Sequence, residues 1–174
     1  MKPGEFELPF KKGDLLPLDY KSVWEAMEEC QNLGLAKLIG VEMNPVWQQK
    51  TLREFCEKKG IHITAYSPLG AKGTSWGTNW VMDSQELNDI AIAKGKTTAQ
   101  ICIRWVYEQG VSVVVKSFNK QRMEENLDIF EWSLSPEECE KISQIPQRKG
   151  LRADIFISNE SPFKSRFELW DEEV

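Results

Sequence analysis

Two clusters of residues in this chain have types and spacings that could do chemistry. The first is Lys116-Ser117-Phe118-Asn119-Lys120-Gln121-Arg122, followed by Glu125-Asn126. The preceding run, Val111-Ser112-Val113-Val114-Val115, reads as a buried strand that Lys116 ends. Ser117 then opens a turn, and Asn119 is placed to cap a helix reaching to about residue 130. Arg122 falls in the first turn of that helix, where unpaired N–H groups and the positive end of the macrodipole face outward. A lysine, a serine, an arginine and helix-end N–H groups together make a receptor for a dianionic phosphate. Glu125 and Asn126, one turn on, could read the amino edge of an adenine. The competing reading is a solvated surface on which Lys116, Arg122 and Glu125 simply carry charge, and spacing alone does not separate the two.

The second cluster is Tyr66-Ser67-Pro68-Leu69-Gly70, at the C-terminal end of a strand over residues 61–66. Function gathers at that end of the strands in parallel α/β folds. The Tyr66 ring could stack on a flat heterocycle, and Ser67 with the N–H groups after it could take a phosphate oxygen. Taken by itself, the segment reads more simply as a strand terminated by Pro68 and Gly70. Neither a Gly-x-Gly-x-x-Gly run nor a Walker loop is present to offer another nucleotide site. His62, the only histidine, alternates with Ile61 and Ile63 in its strand and faces the other way, a structural position. Trp24, Trp47, Trp105 and Trp132 read as helix-face core or rim. No Ser-His-Asp or Cys-His arrangement has local support.

The elements that must position these clusters follow from periodicity and caps. Residues 1–18 read as a loop, and Asp19 as the N-cap of a helix over 20–33 that carries Val23, Met27 and Cys30 and stops at Gly34. A strand over 36–43 ends at Pro45. A helix over 46–59, with Leu52, Phe55 and Cys56 on one face, stops at Gly60. The strand at 61–66 leads into a Gly-rich loop to about residue 79. Asp83 with Glu86, and Thr97 with Gln100, mark two further helix starts. Gly110 closes the second of these helices ahead of a strand over 111–116. Ser135-Pro136-Glu137-Glu138 is a third helix start, with Ser as N-cap and Pro at the first helical position. Residues 151–174 read as an irregular tail. Strands alternating with helices, and no hairpin signal between them, call for a parallel sheet with crossover helices.

Composition narrows the function classes. The chain has 174 residues, 41% hydrophobic and 28% charged, an ordinary globular balance for a single domain. Its net charge of −5 advertises no face for nucleic acid or anionic membrane. No apolar run approaches the roughly 20 residues that span a bilayer, and no secretory segment is read. Cys30, Cys56, Cys102 and Cys139 are widely spaced and, with one histidine, do not suggest a zinc site. They read as reduced cysteines of a cytoplasmic protein.

The two clusters together resemble the cofactor motifs of aldo-keto reductases. Glu42-Met43-Asn44-Pro45, Trp105-Val106-Tyr107-Glu108-Gln109-Gly110 and the ending Leu169-Trp170-Asp171 resemble the plant branch of chalcone-reductase-like, codeinone-reductase-like and deoxymugineic-acid-synthase-like enzymes. The resemblance runs from about residue 2 to 174. It implies a (β/α)8 TIM barrel and reversible hydride transfer between NADPH and a small-molecule carbonyl. It also implies roles. Tyr66 stacks on the nicotinamide, and Ser67 and Leu69 hold the pyrophosphate. Lys116, Ser117, Asn119 and Arg122 grip the adenosine 2′-phosphate and so favour NADP over NAD. Glu125 and Asn126 contact adenine, Phe118 packs beside the adenosine, and the tail from about residue 151 helps wall the substrate pocket.

The chain departs from the family pattern in two places. The family's catalytic Asp, Tyr, Lys and His come from the first half of the barrel, and no residue here is assignable to any of them. Val41 also runs directly into Glu42, where the family places Ser-Asn, a helix and a further strand that ends in Gln. The expectation is therefore the C-terminal half of a barrel with one βα unit skipped, forming a single partial domain. Such a chain is expected to be inactive alone, with no catalytic residue of its own. The alternatives are an NADPH-binding pseudoenzyme module and a non-catalytic fragment that self-associates through exposed strand edges.

Overall fold

The structure, a computed structural model, describes residues 25, 26, 29, 30, 33, 39–74, 78–150, 157, 159, 164 and 165. The chain divides into two compact units, one of Met1–Ala36 with Leu151–Val174 and one of Lys37–Gly150. In the first, Glu25, Ala26, Glu29 and Cys30 are helical, and Leu33 N–H donates to the Glu29 carbonyl at 2.9 Å. These lie within the helix expected over 20–33. The loop at 1–18, the Asp19 cap, Val23, Trp24, Met27 and nearly all of the tail fall outside the described residues.

In the second unit the order is β1 (Ile39–Glu42), α1 (Lys50–Lys59), β2 (Ile63–Tyr66), α2 (Gln85–Lys94), α3 (Thr98–Glu108), β3 (Ser112–Val113), α4 (Lys120–Leu127) and α5 (Pro136–Ser143). The strands form one sheet in the order β1-β2-β3, parallel throughout. Ile39 stands opposite Ile63, and Thr64 opposite Ser112. The alternation read in the sequence decides the faces. Ile61, Ile63 and Ala65 are buried while His62 and Tyr66 are exposed, because successive side chains of a strand point to opposite sides. Val41, Met43 and Val111 are buried too, and with Leu87, Ile90, Ile101, Cys102, Trp105, Val106 and Ile142 of the helices they make the core. On the other face His62 Nε2 lies 2.7 Å from Ser112 Oγ, joining β2 to β3.

Three helix starts stand as their caps predict. Thr97 and Ser135 form full capping boxes with Gln100 and Glu138, and Asn119 Oδ1 accepts from Arg122 N–H at 3.0 Å.

Other boundaries differ for physical reasons. The helix expected over 46–59 begins only at Lys50, because Asn44 offers the backbone a different set of bonds. Its Oδ1 accepts from both Val46 N–H and Trp47 N–H at 3.0 Å, and Gln49 sits in the left-handed region at φ 52. The cap of α2 is Ser84, not Asp83. Ser84 Oγ accepts from Leu87 N–H, while Asp83 pairs with Lys72 at 2.9 Å. The strand expected over 111–116 shrinks to Ser112–Val113, and Val114 is 55% exposed. The turn of β2 at Ser67, φ 51, explains this: its edge leaves the sheet there, and the last rung is Val114 N–H to the Ala65 carbonyl at 3.0 Å. Helix α4 ends at Leu127 rather than near 130. The Asp128 carbonyl is taken by Gln100 Nε2 at 3.0 Å and Trp132 Nε1 at 3.0 Å, and its carboxylate by Lys96 at 2.8 Å.

Candidate nucleotide-binding site

Both clusters lie at the C-terminal ends of adjacent parallel strands, Tyr66 closing β2 with Ser67–Gly70 after it, and Lys116–Arg122 after β3. The register that sets Thr64 against Ser112 brings Val114 beside Tyr66, with Lys116 two residues further along.

After β2 the chain turns sharply. Ser67 takes a left-handed conformation at φ 51, and Gly70 N–H closes the turn on the Ser67 carbonyl at 3.0 Å. A non-glycine residue at positive φ is uncommon, and such strain gathers at functional turns. Gly70 is itself left-handed at φ +73, and a Cβ there would come within 2.8 Å of Val81 Cγ2. The turn is therefore packed tightly enough to require glycine. Pro68 and Gly70 are buried, whereas the Tyr66 ring is 48% exposed, open for stacking. The Tyr66 phenol is pushed up, first by burial and then by the Glu42 carboxylate. Burial raises Glu42 in turn, opposed by Lys149.

After β3 the chain builds a different surface. Asn119 N–H donates to Ser117 Oγ at 3.1 Å, and the Asn119 side chain caps α4. The first turn of α4 carries no acidic residue, and Lys120 and Gln121 present N–H groups that the helix cannot pair. Among the described residues no carboxylate lies within ion-pair distance of Lys116 or Arg122, a state they share with Lys50, Arg53, Lys58, Lys59, Lys141 and Arg148, whereas Lys72, Lys94, Lys96, Arg104 and Lys120 each have one. The Lys116 ammonium instead lies over the Phe118 ring, 4.1 Å from its centroid. Glu125 accepts from Gln121 Nε2 at 2.9 Å, and Asn126 is half-buried one turn beyond Arg122. Two cations without anions, together with free N–H groups at a helix start, fit an anionic ligand. The half-exposed ring beyond the neighbouring strand fits a flat one.

Two supporting features escaped the sequence reading. Asn44 Nδ2 reaches the Ser67 carbonyl at 3.5 Å and so touches the β2 turn from β1. Asn44-Pro45 is a turn signature that could have flagged this residue. The other is an interlock behind the site. Gln48 is buried and donates from Nε2 to the Pro45 and Ile142 carbonyls at 2.9 and 2.7 Å. Its N–H donates to Gln147 Oε1 at 2.6 Å, and Arg148 N–H donates to the Val46 carbonyl at 2.8 Å. No short-range signal marks contacts of such separation. A cavity of about 390 Å³ opens at the opposite end of the strands, beside His62 and Arg53, and contains none of the predicted site residues. Its Lys50 and Arg53 are offset by Glu54 and Glu57.

Comparison with known proteins gives one answer. The aldo/keto reductase family model matches residues 41–147. The chain is 56% identical over 194 residues to the 7-acetyl-epi-neemfruitin B aldo-keto reductase of Melia azedarach, covering 98% of this chain and 61% of that protein. It is 53% identical to deoxymugineic acid synthase 1 of Zea mays, covering 100% and 63%. The chain thus spans just over three fifths of the length of these curated relatives. The match to the maize synthase runs over 198 residues against 174 here, a difference of 24 within the matched stretch. Among solved structures, a point mutant of Gox0644 in complex with NADPH is similar at a TM-score of 0.62 and 30% identity, over 77% of this chain and 46% of that one. An aldo-keto reductase from a deep-sea metagenome library, MGS-M4, is similar at 0.61 and 25%, over 80% and 57%.

Proposed function

The chain belongs to the aldo/keto reductase family, and from that premise we propose that it is the NADPH-holding part of a carbonyl-reducing oxidoreductase. The observation that carries this reading is the segment from β3 into α4, where Lys116 and Arg122 have no carboxylate partner and the first helical turn carries no acidic residue, following the strand adjacent to the one that ends in the half-exposed Tyr66 ring. A nucleotide with a 2′-phosphate answers that pattern. The phosphate takes Lys116, Ser117, Asn119 and Arg122, while adenine reaches Glu125 and Asn126, with Phe118 beside the adenosine. Ser67 and Leu69 hold the pyrophosphate at the β2 turn, and Tyr66 backs the nicotinamide. The dinucleotide supplies a hydride when bound. The side chains named here bind and orient it, and none of them is placed to give a proton to a carbonyl oxygen.

In the same reading the unit is the C-terminal part of a (β/α)8 barrel, a single partial domain in which one βα unit is skipped between Val41 and Glu42. Two findings agree with a missing stretch: the family match begins at residue 41, and the alignment with the maize synthase is 24 positions longer than this chain. Such a unit averages about 31 residues in a barrel of this kind. Without an assignable Asp, Tyr, Lys or His of the family tetrad, the 174 residues alone are expected not to reduce carbonyls. General acid catalysis contributes about 10²–10⁴-fold, and its loss would leave little turnover.

Thermal unfolding with and without millimolar NADPH, with NADH as control, tests the reading. A midpoint raised by NADPH and not by NADH is the expected result. An unchanged midpoint with both would overturn it. Oxidation of NADPH by the chain in the presence of an aldehyde would overturn the expectation of inactivity.

A further inference from the structure

We propose that Phe118 determines the preference for a 2′-phosphorylated nucleotide, by holding the Lys116 ammonium at the site before the ligand arrives; this rests on the nucleotide reading above. The contact of 4.1 Å from Nζ to the ring centroid is the shortest cation–ring approach among the described residues, the others lying at 5.1 to 6.0 Å. Phe118 is also 90% exposed, the most exposed large hydrophobic side chain described. Core packing therefore does not explain an aromatic residue here. The ring instead meets the Lys116 ammonium.

The local backbone makes that contact. Lys116 and Phe118 stand two residues apart, beyond the end of β3, and their side chains meet across Ser117. The Ser117 hydroxyl, accepting from Asn119 N–H at 3.1 Å, fixes the turn that follows. With no carboxylate to hold it, a lysine on a flexible stem would otherwise sample many rotamers and lose them all on binding phosphate. The ring face restricts that freedom while leaving the ammonium protons unpaired. A carboxylate in the same place would hold the lysine but compete with the incoming phosphate. A ring does not compete, because its attraction to the cation is spread over a face that the ligand does not need.

The idea separates from simple packing of Phe118 on adenosine. Packing contributes equally whether or not the ribose carries a phosphate, whereas positioning of Lys116 contributes only when it does. The test titrates the full chain with 2′,5′-ADP and with 5′-AMP by calorimetry, comparing wild type, Phe118→Leu and Phe118→Tyr. Exposure of the side chain makes both variants compatible with folding. Phe118→Leu is expected to weaken 2′,5′-ADP about two- to five-fold more than it weakens 5′-AMP, the difference being the equivalent of an exposed cation–ring contact and the shared part the loss of packing on adenosine. Phe118→Tyr is expected to match wild type with both. In ligand-free protein the Lys116 ε-methylene NMR signal is expected to be shifted by the ring current, and to return to the ordinary lysine position in Phe118→Leu. Equal weakening of both ligands would make Phe118 an adenosine platform and overturn the proposal, as would no change with either. A wild-type chain that binds neither ligand would overturn the nucleotide reading itself. A Lys116 signal at the ordinary position, with nucleotide binding intact, would overturn the positioning role alone.

Discussion

Gly70→Ala is the perturbation that most directly strikes the turn carrying Ser67 and Leu69. Two separate costs are expected. Placing a side chain at φ +73 strains the backbone by about 1 kcal/mol. The new methyl would also lie 2.8 Å from Val81 Cγ2 and 3.3 Å from Val81 Cβ. Val81 is β-branched and only 2% exposed, so it has few rotamers into which to retreat. Overpacking of this kind costs about 1–3 kcal/mol, which brings the total to roughly 2–4 kcal/mol. Urea unfolding reads this as a midpoint lowered by about 1–2 M. Gly73→Ala is the internal control. It shares a positive φ of +89 but meets nothing within 4 Å, so only the strain cost of about 1 kcal/mol should appear. Adding Val81→Ala to Gly70→Ala should recover the overpacking part, with a coupling of about 1–3 kcal/mol between the two sites. A Gly70→Ala variant that unfolds with wild type, or a double variant whose two effects simply add, would refute this account of the turn.

Other expectations follow from single groups. Asn119→Ala removes the cap of α4 and should destabilise by about 1 kcal/mol in urea unfolding, while weakening NADPH binding more than NADH. Glu42 has its folded-state pKa raised above 4.5 by burial, so the protonated form favours the native state. Its contribution is present below pH 4.5 and is lost as pH rises through the folded value. Glu42→Gln should therefore raise the melting midpoint at about pH 7 and leave it nearly unchanged at about pH 4. The Cys102 thiol, fully buried, is pushed up to about 12. Mass-spectrometric mapping after iodoacetamide at about pH 8 should find it unlabelled until urea unfolds the chain.

The parts of this fold visible in the sequence were those fixed by neighbours a few residues apart. The caps at Thr97, Asn119 and Ser135 are three- or four-residue devices, and each stands where its residues place it. The alternation of Ile61, His62 and Ile63 is equally local, and it put His62 on the face away from the core. Misreadings arose where a longer-range partner won. Asp83 had the pattern of a cap but pairs with Lys72, leaving Ser84 to start α2. The run at 111–116 has the composition of a central strand, yet only Ser112–Val113 are strand, because β2, its neighbour, turns away at Ser67. Helix α4 stops early because Gln100 and Lys96, from earlier in the chain, seize Asp128. The candidate site is legible in the sequence only as two separate motifs. That Lys116 leans on Phe118 rather than on a carboxylate, and that Asn44 reaches the Ser67 turn, required the structure.

The interlock around Gln48 also bears on how the unit folds and unfolds. Its bonds join residues 94 and 99 apart in sequence, so they close nearly the whole length of the Lys37–Gly150 unit. Closing so long a loop costs entropy before any bond is made, which places these contacts late on the folding route. Contacts formed after the transition state govern how fast the native state opens, with little influence on how fast it forms. Gln48→Ala removes the side chain that ties the Pro45 carbonyl to the Ile142 carbonyl and should therefore act on the unfolding limb of a chevron plot, leaving the refolding limb in place. The lifetime of the folded unit, and with it the persistence of any ligand held at the strand ends, is then set by a clasp away from the ligand itself.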